Sequence, residues 1–254
     1  MIQDSTLSTV TSHITGARFS TYLAHAGNDP RHALKLYRWN ILMSGALQES
    51  LGIAEVFLRN TLDPQLQAWN SAQPPRLGNV YGANWIQNPA GPLWTLLNPG
   101  GNGRRRRSVY QQAFNRALQD QRKRPPTHRR HRHAVDHNDV LAQLSFGTWD
   151  SLLPRKDSVD PSGIGPEGPR KLWTEALHLG FPHHPDPIAV KYWVERLYRL
   201  RNRVAHLEPL CDTDVLSYHR TTARLLRSID PAIAEWYSGI SRVPAVYRSK
   251  PTFP

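Results

Sequence analysis

Arg201, Asn202 and His206 are the three side chains whose types and spacing suit chemistry on a phosphodiester. Histidine titrates near neutrality, so an imidazole can take a proton from a ribose 2′-hydroxyl or give one to a departing 5′-oxygen. Arginine keeps its charge and grips phosphate oxygens with paired donors, which suits the extra negative charge of an in-line displacement. Asn202 could orient the ring or donate to the phosphate. The nucleophile is internal to the substrate, so no metal or other cofactor is needed. Such a site would cut RNA, spare DNA and leave a 2′,3′-cyclic phosphate. As a bare pattern, Arg-x4-His also occurs as an ordinary surface pair.

The helix that must carry these residues runs from about 187 to 208, opening at Asp186-Pro187 and halted by Pro209. Its apolar stripe reads Val190, Val194, Leu197, Arg201 and Val204, so Arg201 takes a place where the pattern asks for hydrocarbon. A charge there requires a partner or a ligand. At about 100° per residue, Asn202 lies roughly 40° from His206 and Arg201 roughly 140° away. Arg201 could reach a phosphate beside the histidine from the same helix or from a symmetric partner.

Pro and Gly divide the rest of the chain into further helical runs, with no alternating strand-like series and no internal repeat. One runs from about 12 to 27 and a long one from Asp29-Pro30 to about Trp69, with Leu51, Glu55, Leu58, Leu62, Leu66 and Trp69 on one face. Others cover roughly 105 to 121, 138 to 153, 169 to 180, a stretch capped by Asp212 or Asp214, and 231 to 239. The expected fold is all-α, a helical bundle forming a single domain over 1–254. Two long loop insertions, about 71–103 and 122–135, and a mobile tail, about 243–254, complete it. Trp85 and Trp94 are candidates to pin the first loop down.

The chain carries a formal charge of +12, which favours a polyanionic partner, nucleic acid before membrane. Residues 104–133 hold ten arginines and Lys123 against Asp120 alone. Arg104, Arg105, Arg106, Arg107, Arg122, Lys123, Arg124, Arg129, Arg130 and Arg132 are therefore candidate RNA contacts, gripping phosphates without reading sequence. The bland alternative is a solvated basic loop. No aromatic residue falls within 122–133, so base stacking is not expected there. His128, His131, His133 and His137 lack cysteine or carboxylate company, and no metal site is expected. A lone cysteine, Cys211, no secretory leader and no long uninterrupted apolar stretch suggest a cytoplasmic protein with no membrane span.

The run LYRLRNRVAHLEPL (197–210) resembles the motif helix of HEPN-domain ribonucleases, and more narrowly their Abi-like (abortive infection) branch. KLYRWNILMSGALQESLGIAEVFLRNTL (35–62) is similar to that branch's first long helix. LAQLSFGTWDSLLPRK (141–156), LGFPH (179–183) and IDPAIAEW (229–236) are similar to three further segments in the same order. The resemblance implies an all-α HEPN-like fold and a metal-independent endoribonuclease. It also implies a composite site built by two motif helices across a homodimer, in an antiviral or toxin–antitoxin setting. Glu55, Arg59 and Asn60 form a supporting set: Glu55, facing inward, could hold Arg201 or His206, while the plainer alternative is a Glu55–Arg59 helix ion pair. The arginine-rich insertion and the 71–103 loop depart from the family pattern. A non-catalytic RNA-binding protein of a ribonucleoprotein complex is the competing expectation, and an antitoxin protein or a small structured RNA is a possible restraining partner.

Overall fold

A computed structural model describes residues 3–14, 16–100, 108–156 and 167–253. By contact the chain divides into two compact units, Met1–Val56 with Arg196–Pro254, and Phe57–Glu195, where a single domain was expected. Among the described residues all regular structure is helical, with an isolated Arg76–Asn79 bridge as the sole β feature. The fold is all-α.

The helices are α1 (Asp4–His13), α2 (Gly16–His25), α3 (Pro30–Ser71), α4 (Gly91–Leu97), α5 (Val109–Arg122) and α6 (His137–Leu141). After these come α7 (Phe146–Leu152), α8 (Glu167–Glu175), α9 (Pro187–Ala205), α10 (Val215–Ile229), α11 (Pro231–Ile240) and α12 (Val243–Arg248). Aspartates start several of them. The Asp29 carboxylate accepts from the N–H groups of Arg31 and His32, Asp136 and Asp139 form a reciprocal capping box, and Asp214 and Asp230 cap α10 and α11. Each satisfies N–H groups the first helical turn cannot pair, typically contributing about 1 kcal/mol.

In the first unit α10 packs on α11 and α12. Residues 243–253, expected to be mobile, are instead tied down. Val243 is fully buried, Lys250 donates to Cys211 O at 2.7 Å and lies over the Trp39 ring, and Phe253 stacks on His32 at 4.4 Å. The basic composition hid these apolar and carbonyl contacts. Met43, Leu47 and Leu51 of α3 are at most 2% exposed. That burial marks a core helix, although one 18-residue window of α3 has a mean hydropathy of 1.3, enough by composition to cross a membrane.

In the second unit Leu58, Leu62, Leu66 and Trp69 of α3 are buried as their spacing predicts. The stretch expected as a surface insertion is largely exposed over 71–84 but sends several side chains into the core beyond it. Trp85, Ile86, Leu93 and Leu97 are at most 1% exposed, and 91–97 form α4. Trp85 pins this stretch, and Trp94 is 47% exposed. The 122–135 stretch is a series of turns clasped by Arg124 on Asp139 and Arg130 on Asp136 and Asp139. Gly180 is required by close approach, since a Cβ there would sit 2.6 Å from Thr61 Cγ2.

The centre of this unit is Asp63. Its Oδ1 accepts from Trp85 Nε1 at 2.8 Å and faces His137 Nε2 at 2.8 Å, while Gln67 donates to Oδ2. Burial alone would raise this carboxyl, but the hydrogen bonds from His137 and Trp85 outweigh it and hold it below the usual range. A depressed carboxyl stabilises the fold above the unfolded value of about 4 and loses that contribution as pH falls through the folded value. Asp63→Asn should therefore destabilise the protein by about 1–3 kcal/mol at neutral pH. In urea unfolding the gap from wild type should shrink as pH drops from about 6 towards about 2.5; an unchanged gap would count against the network.

Candidate functional site

The candidate site belongs to the last turns of α9, within the first unit. Asp186 Oδ1 accepts from Ile188 N at 2.9 Å at the start of this helix. Val190, Val194, Leu197, Leu200 and Val204 are at most 3% exposed, so Leu200 takes the buried place that spacing assigned to Arg201. Arg201 lies beside it, half-buried. Its guanidinium reaches Asn202 Oδ1 at 3.5 Å, and among the described residues it pairs with no carboxylate.

His206 is the C-cap. Leu207 N bonds to Val204 O at 3.0 Å and Glu208 N to Arg203 O at 3.0 Å, the paired bonds of a Schellman motif. That motif needs a left-handed residue, and Leu207 supplies it at φ +50° without being glycine. The exit is held from three sides. Buried Asn40 accepts from Leu210 N at 2.8 Å and donates to Glu208 O at 3.4 Å. Arg203 spreads its donors over Glu208 Oε2, Thr213 Oγ1 and Pro209 O, at 3.0–3.2 Å. Arg18 donates to His206 O at 3.0 Å. The backbone is thus fixed while the His206 side chain is exposed, with no ring hydrogen bond among the described residues.

Two other titratable groups of this unit are structural. Burial pushes the Tyr22 hydroxyl up to about 12, and its ring meets Tyr37 edge-on at 5.3 Å. Burial, then the nearby Arg220 charge, lowers the His219 imidazole, which pairs with Tyr237 Oη at 2.8 Å.

Compared with protein-family models, curated proteins and solved structures, the chain matches none of them.

The structure brings Arg201, Asn202 and His206 onto one helix end, but it does not bring Glu55 to them. Glu55 is half-buried and has an interaction of its own, while neither Arg201 nor His206 bonds to it. Arg59 and Asn60 belong to the second unit, where Arg59 Nε donates to Asn60 Oδ1 at 3.4 Å. Of the basic candidates, Arg122, Lys123, Arg129 and Arg132 are exposed, and Arg124 and Arg130 are engaged by carboxylates. Arg104, Arg105, Arg106 and Arg107 lie outside the described residues. His131 donates to Arg124 O and His137 faces Asp63; among the described residues no metal-binding cluster forms.

Spacing alone missed Asn40, Arg203 and Arg18. The one signal was a polar residue, Asn40, inside the apolar run around Trp39 and Ile41. Replacing Asn40 by Ala should cost about 1–3 kcal/mol, because Leu210 N and Glu208 O lose their buried partner. Arg201→Ala and His206→Ala should each stay within about 1 kcal/mol of wild type. Denaturant melts of the three variants check the contrast, and a His206→Ala loss as large as that of Asn40→Ala would make the ring structural.

Proposed function

We propose that this protein is a metal-independent endoribonuclease of abortive-infection or toxin type, acting through Arg201 and His206. The observation that carries it is a half-buried guanidinium and an exposed imidazole on the same locked helix end, the first with no carboxylate and the second with no ring hydrogen bond among the described residues. A charge kept half-buried without a counter-ion is costly unless an anion completes it. Phosphate is the anion that gives the neighbouring imidazole something to do.

In this mechanism Arg201 holds the non-bridging oxygens of the scissile phosphate and stabilises the charge that builds there. An imidazole of His206 removes the proton of the ribose 2′-hydroxyl, whose oxygen attacks phosphorus as the bond to the 5′-oxygen breaks. A proton passes to that leaving oxygen, and the products are a 2′,3′-cyclic phosphate and a 5′-hydroxyl. Arg201 and His206 diverge by roughly 140° around one helix, which favours two copies of α9 sharing the work. In a homodimer, His206 of each copy could serve in turn as base and acid. Asn202, on the same side of α9 as His206, orients the ring or donates to the phosphate. The exposed Arg122, Lys123, Arg129 and Arg132 are suited to RNA phosphates, and the HEPN-like assignment rests on the sequence motifs. A restraining partner, an antitoxin protein or a small structured RNA, would belong to the same proposal, as would a cytoplasmic location.

Purified protein should cut single-stranded RNA with EDTA present, leaving cyclic phosphate ends. His206→Ala and Arg201→Ala should each slow cleavage by roughly 100-fold or more. A single deoxyribose 5′ to the scissile phosphate should block it. Cleavage that needs a divalent cation and survives both substitutions would overturn the assignment. RNA binding without cleavage, unchanged in both variants, would favour the ribonucleoprotein alternative.

A further inference from the structure

One face of α2 runs along the segment that leaves α9. Arg18, Tyr22 and His25 stand four and three residues apart on α2, the spacing of a single helical stripe. At one end of the stripe Arg18 Nη2 donates to His206 O at 3.0 Å, and at the other His25 Nε2 pairs with Asp212 Oδ2 at 3.1 Å. Tyr22, in the middle, is fully buried and edge-on to Tyr37 of α3; burial first, and then the neighbouring Cys211 thiol, raise its hydroxyl. Phe19, next to Arg18, is also buried. These contacts make α2 a fixed support, and Arg18 stands on it with its side chain exposed.

A cation near a helix C-terminus commonly serves the last carbonyls, and one N–H is enough for that. Arg18 uses Nη2 in this way, while its Nε and Nη1 have no partner and no carboxylate reaches the guanidinium among the described residues. Its neighbours differ. His25, on the same face, has the Asp212 carboxylate, and Arg203 has Glu208. Arg18 is thus a positive charge of fixed position, bonded to the residue whose imidazole faces water. Arg201 stands roughly 140° around α9 from His206, whereas Arg18 reaches His206 within one chain.

We infer that Arg18 is a substrate-binding residue: its guanidinium, pinned to the His206 carbonyl, seats an RNA phosphate next to the one on which His206 acts. The inference rests on the ribonuclease reading above, in which Arg201 holds the scissile phosphate and leaves a neighbouring one for Arg18. A phosphate that does not react carries the same charge before and during cleavage. Arg18 therefore holds substrate and transition state alike, which lowers KM without raising kcat.

The probe is a fluorescent 2′-O-methyl oligoribonucleotide of about ten residues, which has no 2′-hydroxyl and cannot be cut by 2′-attack. Arg18→Gln keeps an amide donor for His206 O and removes the charge; the side chain is exposed, so the fold should persist. The substitution should weaken probe binding about tenfold and reduce the salt slope by about one phosphate contact. Arg18→Lys, which restores the charge, should recover the slope. With a cleavable RNA, Arg18→Gln should raise KM about tenfold and keep kcat within about twofold, a split that a merely loosened His206 would not give. Wild-type affinity and salt slope in Arg18→Gln, with native circular dichroism, would overturn the inference. A fall in kcat at unchanged KM would also overturn it, leaving Arg18 as a support for the histidine. Arg18-dependent probe binding by a protein that never cuts RNA would defeat the ribonuclease proposal and leave the phosphate contact standing. Cleavage with wild-type KM and kcat in Arg18→Gln would defeat the phosphate contact alone.

Discussion

A fully buried amide side chain must place its donors and acceptor on something, because an unpaired amide in hydrocarbon is costly. Helix α3 meets that constraint twice, once in each unit. In the first unit Asn40 is 0% exposed and divides its bonds between Glu208 O and Leu210 N, so the chain leaving α9 has one path. In the second unit Asn70, also 0% exposed, donates to Gly82 O and Asn88 O and accepts from Ala90 N. That amide holds the backbone of a segment that has almost no regular structure of its own. Neither asparagine faces a ligand, yet Asn40 decides where the ligand-facing residues stand.

The arginines illustrate what position does to a residue type. Arg196, Arg199, Arg201 and Arg203 recur along α9, and spacing sets Arg201 apart only by its place in the apolar stripe and its distance from His206. Folding separates them. Arg196 lies over the Tyr218 ring at 4.4 Å and donates to Ser217 Oγ at 2.7 Å, and Arg203 engages each of its three nitrogens, on Glu208, Thr213 and Pro209. Arg203 has each of its three nitrogens engaged, whereas Arg201 has one bond, at 3.5 Å, and keeps more donors for an anion. The same sorting divides the basic segment, where Arg124 and Arg130 clasp the Asp136–Asp139 capping box and Arg122, Lys123, Arg129 and Arg132 face water. Net charge counts all of these alike, so a strongly basic stretch overstates the charge free to meet phosphate.

The helical character was legible because burial on a helix leaves a 3.6-residue trace, as at Leu58, Leu62 and Leu66. The place of Arg201 was legible only to within one residue. The stripe drawn through it actually passes through Leu200, since successive positions differ by about 100° and a wide apolar face accommodates either. The two-unit division was not legible, because periodicity tells which side of a helix is covered but not by what. Pro- and Gly-rich composition made 71–103 resemble an insertion, whereas Trp85 anchors its ring system on Asp63 and Trp149 and, with Leu93 and Leu97, ties the later part of the stretch to the core. The basic tail misled in the same way, since its contacts are carbonyl and ring contacts that no charge count records.

Two leucines hold left-handed backbone among the described residues, Leu77 at φ +52° and Leu207 at φ +50°. Each such residue costs about 1–2 kcal/mol that a glycine would avoid. Leu207 directly follows His206, and Leu77 forms the tip of the turn closed by Arg76 and Asn79. Leu77 also keeps its apolar side chain in water, 98% exposed, so burial does not offset its strain, whereas Leu207, 37% exposed, recovers part of the cost. Strain held without a full packing return persists only where surrounding bonds over-determine it. At Leu207 those bonds are the Schellman pair with Asn40 and Arg203, and at Leu77 they are the reciprocal Arg76–Asn79 bonds. A glycine would ease each turn but would give it the freedom to open, and the adjoining His206 ring or Arg76 guanidinium would lose its fixed origin. The leucines are best understood as the stiff form of turns whose neighbours must not move.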